Sequence, residues 1–121
     1  DLGVTNTYYL AGLIKKNPTF KVRPFFPSAA TSGAMTNGAG IGVLKTSRQP
    51  DMARRLIEHL LTIESQEAIV ATSNEYPVNP GAQPTEIVKG FGNFQLNGVS
   101  WAEAGKSVAR AKTLMSEVGW P

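Results

Sequence analysis

The chain has 121 residues, a mass of 13.0 kDa, 41% hydrophobic and 17% charged residues, and a net charge of +3, which fits one small domain or a piece of a larger one. Its apolar residues come in short runs, none approaching the ~20 needed for a bilayer-spanning helix. Cysteine is absent, which excludes a disulfide scaffold, a cysteine nucleophile, zinc fingers and iron–sulfur ligation.

In chain order, residues 6–16 read as a short helix. Asn6 or Thr7 can cap its start, Lys15 and Lys16 suit its C-terminal dipole, and Asn17-Pro18 stops it. Residues 20–26 alternate apolar and basic like a strand, which Pro24 demotes to an edge or a short piece. Residues 27–40 have a loop composition, and 41–46 predict a second short strand. Pro50 then opens a helix running to about residue 62, with Ser47 as an upstream cap and Asp51 complementing the dipole. Met52, Leu56, Ile57, Leu60 and Leu61 carry its apolar spacing. Thr62 can cap a further helix from Glu64 to Thr72. Pro77, Pro80 and Pro84 require 73–85 to be extended or turning, and a brief helix covers 85–89. Ser100 and Glu103 form a capping box at the start of the last helix, which Trp101 and Trp120 are expected to pack down; Gly119 closes it and Pro121 follows. Two short strands do not make a stable sheet alone, so further strands are expected in a longer parent. The first residues, Asp1-Leu2-Gly3-Val4, carry no Met, basic n-region or apolar h-region, as in a trimmed product or a fragment.

The basic residues come in ones and twos, such as Lys15-Lys16 and Arg54-Arg55, so a nucleic-acid partner is not expected. The single histidine, His59, excludes a His-rich metal site, and any Ser-His-Asp triad must run through it. No nucleophile–base pair is visible, and an enzyme is not expected. Glu64 and Glu67 read as dipole-complementing charges rather than a glycosidase pair. The glycines of Gly38-Ala39-Gly40-Ile41-Gly42 lack the preceding strand and following helix of a dinucleotide fingerprint, and read as a tight backbone passage or hinge.

Tyr8-Tyr9 is the unusual feature. An aromatic pair at a helix start serves either as core packing or as two phenolate ligands for a hard cation such as Fe(III). A free phenol has a pKa near ~10, and a bound trivalent ion reverses that preference because its charge favours the deprotonated ligand. Adjacent helical residues point about 100° apart around the axis, so convergence on one ion places the pair at the helix entry, where the dihedrals are not yet helical.

The segment Asn6-Thr7-Tyr8-Tyr9-Leu10 resembles the tyrosine-pair motif of periplasmic ferric-iron-binding proteins, the substrate-binding components of bacterial ABC iron importers. Asn37-Gly38-Ala39-Gly40-Ile41-Gly42-Val43 is similar to the family's crossover, with Ala39 where a serine is usual. The helix-break-helix pattern of 56–66, the segment Glu75-Tyr76-Pro77-Val78-Asn79-Pro80-Gly81 and the ending Glu117-Val118-Gly119-Trp120 also match, in order. The resemblance implies an α/β chain that is the C-terminal segment of a bilobal, type II, transferrin-like periplasmic-binding-protein fold. It places 1–33 in the C-terminal lobe, 34–46 as a hinge crossover strand, and 47–121 as helices bracing the N-terminal lobe. It implies that Tyr8 and Tyr9 ligate Fe(III), that Asn6 contacts a co-bound anion such as carbonate or phosphate, and that the remaining ligands lie in the N-terminal part of the same protein. The implied partner is the permease of an ABC importer in the inner membrane. The alternative is a binding protein of the same fold for an oxyanion or a small organic acid.

Overall fold

The computed structural model describes residues 2–28, 30–31 and 33–120; Asp1, Ala29, Ser32 and Pro121, the residue expected to follow the last helix, lie outside them. The described residues form five helices: α1 Thr7–Lys16, α2 Pro50–Leu60, α3 Ile63–Ser73, α4 Glu86–Lys89 and α5 Trp101–Glu117. They fall into two compact units. One comprises Asp1–Phe25 and Asn37–Asn93, the other Phe26–Thr36 and Phe94–Pro121.

The helices start and stop where local chemistry dictates. Pro50 occupies the first turn of α2, where its missing N–H costs nothing. The cap of α2 is Gln49, not Ser47; the Ser47 hydroxyl accepts from the Gln49 N–H instead, at 3.2 Å. Thr62 and Thr85 cap α3 and α4 through their hydroxyls. Asn74 ends α3 in the left-handed conformation (φ 58°, ψ 26°), which Asn tolerates better than most residues.

In the first unit α1 packs on α4 and α2 on α3. Leu10 and Ala11 of α1, Val70 of α3, Ala82 of the segment before α4, and Val88 of α4 form the buried apolar positions. The Pro-containing segment after α3 turns without helix, as its three prolines require. Three side chains hold it. Gln66, itself buried, donates from Nε2 to the Leu60 carbonyl at 2.8 Å and accepts from the Val78 N–H at 3.0 Å. Asn79 donates to the Leu61 carbonyl at 2.7 Å, and Glu67 accepts from the Gln83 N–H at 3.2 Å. The end of α2 and the segment 75–83 are thus tied to α3 through side chains, not through a sheet.

In the second unit Phe26 stacks on Phe94 with ring centroids 4.5 Å apart. Beside them lies one isolated parallel bridge, Ala34 to Leu96, closed by Ala34 N–H to the Gln95 carbonyl and Asn97 N–H to the Ala34 carbonyl, each 3.0 Å. Gly33 makes this possible. It has φ +64°, and a Cβ there would stand 2.6 Å from the Asn97 Cα. The close backbone passage is therefore at Gly33. At Gly40 and Gly42, where a tight passage was expected, a Cβ would meet nothing within 4 Å.

The capping box of α5 forms as read, with Ser100 Oγ accepting from Glu103 N–H and the Glu103 carboxylate accepting from Ser100 N–H. Its other end closes with Gly119 at φ +67° and Trp120 N–H on the Met115 carbonyl at 2.8 Å, a 6→1 Schellman closure. Trp101 and Trp120 do not pack α5 down: both are more than half exposed. The second unit outside α5 is only two short segments, too little apolar surface to cover two indoles.

The strands expected over 20–26 and 41–46 do not form among the described residues. Both segments are non-helical, and neither is paired. A strand exists only through a neighbour's hydrogen bonds, and Pro24 withholds one of its own donors.

Replacing Gln66 by Leu leaves the Leu60 carbonyl and the Val78 N–H without this partner. The expected cost is about 2–4 kcal/mol, read as a lowered midpoint in urea unfolding.

Candidate metal centre

The candidate site lies at the start of α1. Asn6 is the N-cap, with extended dihedrals (φ −78°, ψ 145°), so Tyr8 and Tyr9 occupy the second and third helical positions. The expectation that the pair precedes the helical dihedrals is corrected: both tyrosines are in the first turn. Their rings meet nonetheless, with centroids 4.5 Å apart and planes tilted by 49°. Long helical side chains lean back toward the N-terminus, so two adjacent phenols at a helix start can converge beyond the end of the axis.

Asn6 is a preferred cap residue whose usual bond is to an N–H of the first turn. It makes no such bond. Its Nδ2 donates to the Tyr8 phenolic oxygen at 3.0 Å. The Tyr9 N–H is satisfied by the Asn6 backbone carbonyl at 3.2 Å. A side-chain cap contributes about 1 kcal/mol, with Oδ1 as the accepting atom; here Oδ1 makes no cap bond, and the carboxamide is turned so that Nδ2 donates to the phenol. The structure therefore brings together all three residues singled out by the sequence: Asn6, Tyr8 and Tyr9.

Tyr8 is half-buried and Tyr9 is 60% exposed. The Tyr8 phenol is held above its ordinary pKa, chiefly by hydrogen bonding with Tyr9, then by burial; the Glu75 charge adds to the rise and the Asn6 amide opposes it. The Tyr8 phenol by itself is thus neutral at ordinary pH. Against this, the helix N-terminus presents a fixed partial positive charge that favours a phenolate, and a bound cation adds far more.

Glu75 is an acidic neighbour whose charge raises the Tyr8 phenol slightly and which sequence reasoning passed over. It follows the buried, left-handed Asn74, and its backbone N–H donates to Ser73 Oγ at 3.3 Å. The same end of α3 touches α1 again through Lys15 Nζ, 3.5 Å from the Ala71 carbonyl. The signal was the segment Glu75-Tyr76-Pro77, already noted as a motif but not linked to the tyrosine pair. Tyr76 is partly buried, and burial pushes its phenol up.

His59 stands on an exposed part of α2, with Ser65 Oγ 3.5 Å from its Nε2. Glu67 serves the loop at Gln83. Among the described residues no three His, Asp or Glu side chains gather as a metal cluster, and the oxygen donors that do converge are phenols. No helix among the described residues is long and apolar enough to cross a membrane.

The family model for bacterial extracellular solute-binding proteins matches residues 1–94. The chain belongs to this family. Extracellular solute-binding proteins carry ligands and are not enzymes, and the family points to a periplasmic-binding-protein fold. The chain is 33% identical to Iron uptake protein A1 of Synechocystis over 99% of its length, covering 35% of that protein. It is 30% identical to Iron uptake protein A2 of the same organism, over 99% of its length and 37% of that protein. It is 32% identical to the Major ferric iron-binding protein of Neisseria meningitidis serogroup B, over 66% of its length and 25% of that protein. The chain thus spans about a third of the length of the first two of these curated relatives. No solved structure matches it.

Because Asn6 is not capping, Asn6→Ala should cost the helix only a few tenths of a kcal/mol, against about 1 kcal/mol for Thr62→Ala, whose hydroxyl does cap. Paired thermal unfolding of the two variants measures the contrast.

Proposed function

We propose that this chain is the C-terminal part of a periplasmic ferric-iron-binding protein that delivers its cargo to the permease of an ABC importer. The observation that carries the reading is the convergence of the Tyr8 and Tyr9 phenols at the N-terminus of α1. Paired phenolates suit a hard trivalent cation, whose charge offsets the cost of deprotonating them. The names of the relatives, iron uptake and ferric iron-binding proteins, support the same cargo.

In this reading Fe(III) is the cargo, and Tyr8 and Tyr9 supply two of its ligands. The others come from the N-terminal part of the same protein, with carbonate or phosphate completing the shell. Residues 1–33 belong to the C-terminal lobe, 34–46 to the hinge crossover, and 47–121 brace the N-terminal lobe of an α/β bilobal fold. The unpaired segments 20–26 and 41–46 support this division, since they are strands by pattern that need partners from a longer chain. Closure of the lobes follows from differential affinity: the ion binds more tightly where both lobes contribute donors.

The test is a ferric titration of the full-length protein from ferric nitrilotriacetate, followed in the visible spectrum. Wild type should show a tyrosinate-to-iron charge-transfer band. Tyr8→Phe and Tyr9→Phe should each weaken binding at least about a hundredfold without unfolding the protein. Unchanged affinity in both variants sinks the reading.

The sign of the pH dependence follows from ligand chemistry. A phenol must lose its proton to ligate the ion, so loading should release protons from this pair and weaken as pH falls. Titration in weakly buffered solution, wild type against the double Phe variant, isolates the protons that belong to these two residues.

A further inference from the structure

Asn6 occupies the position and the backbone conformation of a helix cap and does not cap. Its amide is committed elsewhere, at 3.0 Å from the Tyr8 oxygen. That oxygen is the atom which, on the reading proposed above, meets the ferric ion. We propose that Asn6 is a positioning residue for the Tyr8 oxygen, acting on the tyrosine and not on a co-bound anion. The inference rests on the ferric reading of the tyrosine pair and gives Asn6 a different task from the anion contact that the family resemblance implies.

The geometry favours this task. The bond spans two residues at the entry of one helix, so it is present before any cargo arrives and needs no second lobe. A phenolate oxygen has more than one lone pair. One can keep the Asn6 amide while another faces the cation, so the bond persists on loading. It restricts the rotation of the Tyr8 ring, whose other neighbour is the Tyr9 ring at 4.5 Å. The oxygen is thereby presented in one place, and ordering it on binding costs less. The amide also draws charge from the phenolate, which moves a tyrosinate-to-iron transition to shorter wavelength. A contact to an anion does neither of these things.

The experiment uses the full-length protein and ferric nitrilotriacetate, with and without added phosphate or bicarbonate. The variants are Asn6→Ala, Tyr8→Phe, and Asn6→Ala in the Tyr8→Phe background. Circular dichroism checks the fold of each. Asn6→Ala should weaken ferric binding about tenfold, equally with and without the anion, and move the charge-transfer band to longer wavelength. In the Tyr8→Phe background, Asn6→Ala should add nothing further, because its partner atom is gone. A loss seen only when the anion is present, with the band unmoved, overturns the proposal and returns Asn6 to the anion. A loss undiminished in the Tyr8→Phe background, or no loss in Asn6→Ala, overturns it as well. A wild-type protein without any band overturns the ferric reading itself, an outcome distinct from a wild-type band that Asn6→Ala leaves in place.

Discussion

The buried carboxamide of Gln66 is the constraint on which the larger unit depends. It satisfies a carbonyl left over at the C-terminus of α2 and an N–H in the segment after α3, at 2.8 and 3.0 Å. The buried carboxamide itself would otherwise lack both partners, and an unmade hydrogen bond on a buried polar group costs far more than a made one gains. Only a side chain with a donor and an acceptor on one planar group does both jobs from a single position. With Asn79 and Glu67 it fixes the path of residues 75–83 against α3. That path sets Glu75, whose charge acts on Tyr8.

A second conflict is settled at the start of α1. A helix entry wants its first N–H groups capped, and the sequence supplies the residue type to do it. Here the Oδ1 of that residue caps nothing, and its Nδ2 donates to the phenol two positions on. The helix still forms because Leu10 and Ala11 are buried and α1 packs on α4, and tertiary burial outweighs one lost cap. Local stability is given up at one point, and what is gained there is the placement of an oxygen. Such local departures from the best stability choice are expected where a site is built.

The sequence located the helices well because helix ends are written in nearby residues. Thr62, Thr85, Ser100, Glu103 and Gly119 each act within a few positions of themselves. The segments 20–26 and 41–46 form no strand among the described residues for the opposite reason: alternation supplies a pattern, but pairing needs a partner that no local residue can provide. The run Gly38–Gly42 reads as a tight passage or hinge; Gly40 and Gly42 stand in open space, and a close passage occurs at Gly33, whose neighbour Asn97 is far along the chain. The same division holds at the candidate site. Tyr8 and Tyr9 stood out as an adjacent pair. Asn6 reads from sequence as a cap or an anion contact, since residue type alone does not say which way its carboxamide turns, and Glu75 lies across a fold that the sequence alone does not display.

Two phenolates on one helical turn do not complete the shell of a hard trivalent cation. They offer two oxygen donors from one direction, while ions of this kind take about six ligands. A site so placed holds its ion weakly by itself and strongly once donors from another surface close over it. That asymmetry is what a carrier requires. An ion fully satisfied by one surface would give no differential affinity between open and closed states, and so no drive to close. With the donors divided, the ion itself links the two surfaces, and opening them restores weak binding. On the proposed reading, the exposure of Tyr9 and the half-burial of Tyr8 are the form this takes on one side of the clamp: one ligand free to reach outward, the other held in register by Asn6.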